Sequence, residues 1–272
     1  SNLPIEVPGV TVDRQCGSGQ QAIHFAAQAV MSGNQDMIIA GGVENMSMTP
    51  IGSPLLVASK AGMRTPFDGE AISSRYPGVE FSQFVGAERM AEKYAVSRDD
   101  LDHFAYQSHV KGAAAYDDNR FDREIIPMTV EVEGQKVVHD VDEGLRRNAT
   151  LEAIQGLEPL QEGGLITAGS ASQICDGSAA TLIVSERALK QYGLTPLARI
   201  HDMTVVGSDP TMVLEGPIPA TQKILQRTGL TIEDIAIYEV NEAFGSVPLA
   251  WKNAIGADLE RLNVNGGAQA LG

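Results

Sequence analysis

Residues 8–40 constrain the fold of this chain more than any other segment. Pro8-Gly9-Val10-Thr11-Val12 reads as a turn followed by a short β-branched strand. Residues 19–31 read as a helix with Ala22, Ile23, Ala26, Ala27 and Val30 on one face. Met37-Ile38-Ile39-Ala40 is a second strand, ended by Gly41-Gly42, with residues 43–48 as a loop. Strand, helix and strand at this spacing predict a βαβ unit with a parallel pair. The second strand is apolar without alternation, which predicts that both of its faces are covered.

The first strand hands over to the helix through Val12-Asp13-Arg14-Gln15-Cys16-Gly17-Ser18-Gly19. Cys16 therefore sits near the free N–H groups of a helix start, where the positive end of the dipole favours a thiolate. The glycines allow a tight turn and close approach of a ligand. A lone cysteine of this kind is more often buried and inert. The strand–Cys-Gly-Ser-Gly–helix setting makes Cys16 a candidate nucleophile instead.

The rest of the chain alternates in the same α/β texture. Residues 49–84 are rich in Pro, Gly, Ser and Met without periodicity, which predicts a long functional loop region. Helices are expected over 85–94 and 99–117, the second opened by a capping box of Ser97 and Asp100, with Leu101, Phe104, Ala105 and Ser108 facing inward. Residues 130–133 and 136–138 flank Gly134-Gln135 as a small hairpin. Strands are expected over 179–184, 197–203 and 235–240, and helices over 186–193 and 219–229, with Trp251 in a further helix. Residues 263–272 enter a glycine-rich turn that would normally feed a helix. The abrupt start and finish predict a chain carrying only part of its fold at each end.

Composition narrows the partners. The formal charge of −15 on 272 residues argues against nucleic acid or an anionic membrane. Two cysteines, Cys16 and Cys175, cannot build a disulfide framework, and no long apolar run or secretory leader is visible, so a cytoplasmic setting is expected. No His/Cys spacing matches a zinc pattern. The histidines His24, His103, His109, His139 and His201 lie in no motif and are expected to be structural or exposed.

Four motifs together resemble the thiolase family of acyl-CoA acetyltransferases, and the resemblance covers essentially the whole chain. The run around Cys16 is similar to the family's nucleophile signature, with Asp13 where Asn is more usual. Asn241-Glu242-Ala243-Phe244 resembles its Asn-Glu-Ala-Phe motif, and Asn263-Val264-Asn265-Gly266-Gly267-Ala268 the opening of its second signature. Thr167-Ala168-Gly169-Ser170-Ala171-Ser172 resembles its pantetheine loop.

The resemblance implies an α/β thiolase-like fold of two similar βαβ-type halves in α-β-α-β-α layers, with an inserted loop domain. Residues 1–45 would be the remnant of the first half, 46–174 the coenzyme-A-binding loop domain, and 175–272 an incomplete second half. It implies CoA-dependent cleavage of a 3-ketoacyl-CoA, or the reverse condensation of acetyl-CoA, through an acyl-Cys16 intermediate in fatty acid metabolism. Cys16 would be nucleophile and, through its backbone N–H, an oxyanion donor. Asn241 would hold a water in a second oxyanion hole; from the residues alone it also reads as a helix N-cap. Glu242 is grouped with these two, orienting its neighbours. Arg146, Ser172, Ala171 and Phe244 would bind the CoA ester, Arg146 by pairing with phosphate or stacking on adenine. Coenzyme A is substrate and product, with no further cofactor, and the full-length form is expected to be a homodimer or homotetramer.

The family's catalytic His would fall just beyond Gly272, and its second catalytic Cys further on. The chain as it stands is therefore expected to turn over negligibly and to be marginal as a monomer. Cys175 matches no such motif and is expected to be structural. A non-catalytic CoA-binding fragment is the alternative. A ketoacyl-synthase-like condensing enzyme is a further one, disfavoured by the Asn-Glu-Ala-Phe run.

Overall fold

The structure, a computed structural model, describes residues 3–272; residues 1 and 2, which open the expected first half, lie outside the described residues. In chain order the elements are α1 (Ser18–Met31), β1 (Met37–Asn45), α2 (Ser53–Lys60), α3 (Glu70–Arg75), α4 (Gln83–Lys93), α5 (Arg98–Asp117), β2 (Met128–Val132), β3 (Gln135–His139), α6 (Leu151–Gln155), β4 (Asp176–Val184), α7 (Glu186–Gln191), α8 (Pro217–Thr228) and α9 (Ser246–Ile255). They fall into two compact units. One takes the described residues up to Ile51 with Cys175–Met203, the other Gly52–Ile174 with Thr204–Gly272.

In the first unit, β1 pairs antiparallel with β4, Met37 opposite Val184 and Asn45 opposite Asp176. The expected parallel pair is not formed. Two polar clamps hold the antiparallel register. At one end the Ser185 N–H donates to the Asp36 backbone O at 2.8 Å and its Oγ to Asp36 Oδ1 at 2.7 Å, and Arg187 pairs with the Asp36 carboxylate. At the other the Ser47 N–H donates to Asp176 Oδ1 at 2.9 Å. Arg187 and Ser47 accordingly draw the Asp36 and Asp176 carboxyls below their ordinary pKa. The Gly41-Gly42 pair does not end β1: it sits opposite Ala180 and Ala179, and the ladder runs through it. Helices α1 and α7 pack on the pair but leave Ile39, Val43 and Leu182 exposed, so two-sided cover is not found.

The expected strand over 10–12 is absent; it has no partner among the described residues, and Val10 is 89% exposed. The strand expected over 197–203 is not formed either; these residues are irregular among the described residues.

The second unit is helical around one core. Met90 of α4, Leu101 and Phe104 of α5, Val247, Ala250 and Trp251 of α9, and Ile166, Tyr238 and Leu262 from irregular segments are buried together. Each large apolar side chain buried there contributes roughly 1.5–3 kcal/mol against unfolding. The Trp251 indole N–H donates to Thr221 Oγ1 of α8 at 2.8 Å, and the ring lies 5.4 Å from that of Tyr238. The capping box forms as expected at the start of α5: Ser97 accepts from the Asp100 N–H and Asp100 from the Ser97 N–H.

The region 49–84 is not the structureless loop expected. It contains α2 and α3, and because neither buries a side chain there is no apolar stripe to betray them. Hairpin β2–β3 turns at Glu133-Gly134, one residue earlier than expected, with φ of 51° and 79° as a type I′ turn requires. Residues 235–240 form a single parallel bridge, Tyr238 to Leu262, rather than a full strand. Tyr238 N–H donates to Arg261 O and Asn263 N–H to Tyr238 O, both at 2.9 Å.

Candidate functional site

Cys16 lies exposed, immediately before the Gly17 cap of α1. The turn that presents it is held by Ser18, whose Oγ donates to Gln15 O at 2.7 Å and accepts the Arg14 N–H at 2.8 Å. Asp13 Oδ1 accepts the Gln15 N–H at 3.0 Å. Gln15 has φ of 52°, a left-handed conformation that costs a non-glycine residue about 1–2 kcal/mol, so the turn is locally determined and held in place by these bonds. The Arg14 guanidinium donates to Gln21 Oε1 at 3.0 Å and lies near His24, whose pKa burial and that charge both lower. Cys175, in the same unit, is half-buried and not disulfide-bonded.

Within the second unit three of the singled-out segments come together. Ala171 bridges Phe244, the Ser172 N–H donates to Ala243 O at 3.0 Å, and the Gly245 N–H donates to Ser170 O at 2.8 Å. The glycine-rich segment joins them: the Gln173 N–H donates to Ala268 O at 2.9 Å, Gln173 Nε2 to Gln269 O at 2.7 Å, and Gln269 Nε2 to Ser170 O at 3.0 Å. Phe244 is buried and packs edge-on against Phe84 at 5.4 Å. Ser172 is half-buried, and its hydroxyl makes no hydrogen bond among the described residues.

Asn241 and Glu242 differ sharply in setting. Asn241 is exposed, its side-chain amide unbonded among the described residues. It is not a helix N-cap, because α9 starts at Ser246 with Gly245 as its cap. Glu242 is 1% exposed. Its carboxylate accepts from Ser108 Oγ at 2.7 Å, Asn263 Nδ2 at 2.8 Å and the Gln269 N–H at 3.1 Å. Burial pushes its pKa up despite these donors and the charge of Lys111. Burial and the Glu242 charge together raise Glu239 as well.

The glycines of the third segment are required by space. A Cβ on Gly267 would lie 2.3–2.7 Å from the Glu242 carboxyl atoms, and one on Gly266 2.7 Å from Ser108 O. Gly266 also has φ of 83°. Backbone, helix α5 and buried carboxylate thus meet too closely for any side chain.

Arg146 and Arg147 part company. Arg147 donates to Asp117 Oδ1 at 2.6 Å and lies 5.8 Å from the Tyr116 ring centroid. The Arg146 guanidinium is exposed and carries no hydrogen bond or ion pair among the described residues. Its backbone N–H donates to Nδ1 of His109, which is buried and whose pKa burial lowers, followed by the Arg146 charge.

Sequence reasoning placed Ser108 on the inner face of its helix and His109 among the structural or exposed histidines, as their burial bears out, but gave these two and Gln269 no part in the site. A hydroxyl at the end of an otherwise apolar helix face was the available signal for Ser108. No group of three or more His, Cys, Asp or Glu side chains among the described residues could hold a metal, and no helix there is long and apolar enough to cross a membrane.

Comparison with known proteins gives these placements a context. A model of the thiolase N-terminal domain matches residues 1–187 and one of the thiolase C-terminal domain residues 194–272. The chain is 50% identical over 273 residues to a steroid 3-ketoacyl-CoA thiolase of Mycobacterium tuberculosis, covering 100% of this chain and 66% of that protein. It is 38% identical over 279 residues to an acetyl-CoA acetyltransferase of Pseudomonas aeruginosa, covering 100% and 70%. A 3-oxoadipyl-CoA/3-oxo-5,6-dehydrosuberyl-CoA thiolase of Escherichia coli is 39% identical over 284 residues, with the same coverage. The chain spans about two thirds of the length of these curated relatives.

Proposed function

The chain belongs to the thiolase family, and from that premise we propose that it is an acyl-CoA acyltransferase working through an acyl-Cys16 intermediate. In the cleavage direction the Cys16 thiolate attacks the 3-keto carbon of a 3-ketoacyl-CoA. The C2–C3 bond breaks, the electron pair stays on C2 of the departing acetyl-CoA, and that carbon takes up a proton. The sulfur of a second CoA then attacks the Cys16 thioester, releasing the shortened acyl-CoA and regenerating the thiolate. The reverse sequence condenses two acetyl units. The relative named as a steroid 3-ketoacyl-CoA thiolase supports the cleavage direction.

The Cys16 N–H serves as an oxyanion donor, and the unbonded amide of Asn241 holds a water for the second oxyanion. Glu242 orients this segment from below through its buried bonds to Asn263 and Gln269. Arg146 takes CoA phosphate or adenine, and Ser172, Ala171 and Phe244 line the pantetheine arm. Coenzyme A is substrate and product and no other cofactor takes part. The functional form is a cytoplasmic homodimer or homotetramer, organised as a first half over 1–45, a loop domain over 46–174 and a second half over 175–272.

The observation that carries this reading is the exposed thiol of Cys16 on its strained, hydrogen-bonded turn at the start of α1. The test is incubation with acetyl-CoA followed by peptide mass spectrometry. An acetyl adduct on the Cys16 peptide that disappears in Cys16→Ala is expected. Labelling of Cys175 in place of Cys16, or none at all, refutes the acyl-Cys16 intermediate.

A further inference from the structure

One face of α5 holds the segment that carries Arg146. Tyr116 Oη donates to Asp142 Oδ2 at 2.7 Å and accepts the Asp142 N–H at 2.9 Å. Gly112 leaves room for Leu145, whose Cδ1 would be 3.2 Å from a Cβ placed there. Asp117 and the Tyr116 ring occupy Arg147. His109 receives the Arg146 backbone N–H on Nδ1 at 3.3 Å. Residues 109, 112, 116 and 117 share one side of the helix, so each pins one point of residues 142–147. Arg146 is the member of that stretch whose charge is left facing outward with no protein partner among the described residues.

We propose that His109 is a positioning residue for anion capture by Arg146: its neutral imidazole fixes the Arg146 main chain so that the guanidinium is presented to the phosphates of the CoA nucleotide. This rests on the reading of Arg146 given above and adds the residue that holds it. The imidazole does the work as an acceptor, with Nδ1 bare and the proton on Nε2. It is 5% exposed, too buried to meet the ligand itself. With the backbone fixed, the guanidinium pays less ordering entropy on meeting a phosphate.

The test is calorimetric titration of the whole chain with CoA and with pantetheine, which shares the arm but lacks the phosphates. His109→Leu, which keeps the bulk and removes the acceptor, is expected to weaken CoA binding about tenfold and leave pantetheine unchanged. His109→Gln, whose amide oxygen can accept the same N–H, is expected to restore CoA binding to within about twofold of the parent. Arg146→Ala separates the two levels. If it leaves CoA binding unchanged, the reading of Arg146 falls and the proposal with it. If it weakens binding while His109→Leu does not, the proposal alone is overturned. Parallel loss of CoA and pantetheine binding in His109→Leu also overturns it, because the damage is then general. Nitrogen NMR of the unmutated chain gives a check that needs no variant. Nδ1 is expected at the shift of a bare imidazole nitrogen and Nε2 at that of a protonated one; the opposite tautomer overturns the proposal.

Discussion

Replacing Ser108 by Ala tests whether the buried carboxylate of Glu242 is the tie-point of the second unit. The hydroxyl makes two bonds there, donating to Glu242 Oε2 at 2.7 Å and accepting the Gly267 N–H at 3.0 Å, and the residue is 3% exposed. Losing a donor to a charged acceptor costs about 1.5–3 kcal/mol, and stranding a buried backbone N–H about 1–3 kcal/mol. The two losses do not add in full, because Glu242 keeps the Asn263 and Gln269 donors. A net loss of about 3 kcal/mol is expected. Urea unfolding reads it as a midpoint lowered by roughly 1–3 M at unchanged slope. In a Glu242→Gln background the same substitution should cost at least about 1 kcal/mol less, since its charged partner is gone. A loss in the single variant below about 0.5 kcal/mol, the level of an ordinary surface change, refutes the tie-point.

Three further outcomes are expected. Gly267→Ala should destabilise by about 1–3 kcal/mol or more, read by the same unfolding assay, because its Cβ has no room beside the Glu242 carboxyl. Phe244→Ala should cost about 3–5 kcal/mol for the lost burial and the contact with Phe84; a cost under 1 kcal/mol would show the site collapsing without strain. His24 and His109 are both held neutral by burial, so the unfolded chain binds protons that the folded chain does not below about pH 6.5, and stability falls as pH drops through that window toward their lowered native values. The double variant His24→Asn, His109→Gln should therefore lose less stability between about pH 7.5 and 5.5 than the parent; equal losses would remove the two imidazoles from the account.

How much was legible in the sequence depended on where the determining contacts lie. Helices that bury a stripe or carry a cap, such as α5 with Ser97 and Asp100 or α8 ending before Gly229 at φ of 73°, are written locally and came out within a residue or two. Strand pairing is not local. β1 and β4 are joined by clamps between Asp36 and Ser185 and between Ser47 and Asp176, partners more than a hundred residues apart, and nothing near residue 37 announces them. Helices α2 and α3 bury nothing and so leave no periodic trace. For the candidate site, motif residues such as Asn241 and Ser172 could be singled out by resemblance. The groups that hold the motifs, Ser108, His109 and Gln269, lay outside it, since a polar residue on an inner helix face looks like any other until its partner is known.

The distances along the chain between those holding groups also order events in time. Ser108 reaches Gly267 across 159 positions, Ser170 reaches Gln269 across 99, and Asn263 reaches Val240 across 23. Closing the longer loops is slow and their contacts tend to form after the local helices, so the bonds of Ser108 and Ser170 in the stitch around Glu242 are expected on the downhill side of the folding barrier. Weakening them should leave the folding rate nearly unchanged and speed unfolding instead, shortening the lifetime of the native site rather than delaying its birth. On a ribosome, a nascent chain that has emerged only as far as Ala243 would hold Glu242 without Asn263 or Gln269 to receive it.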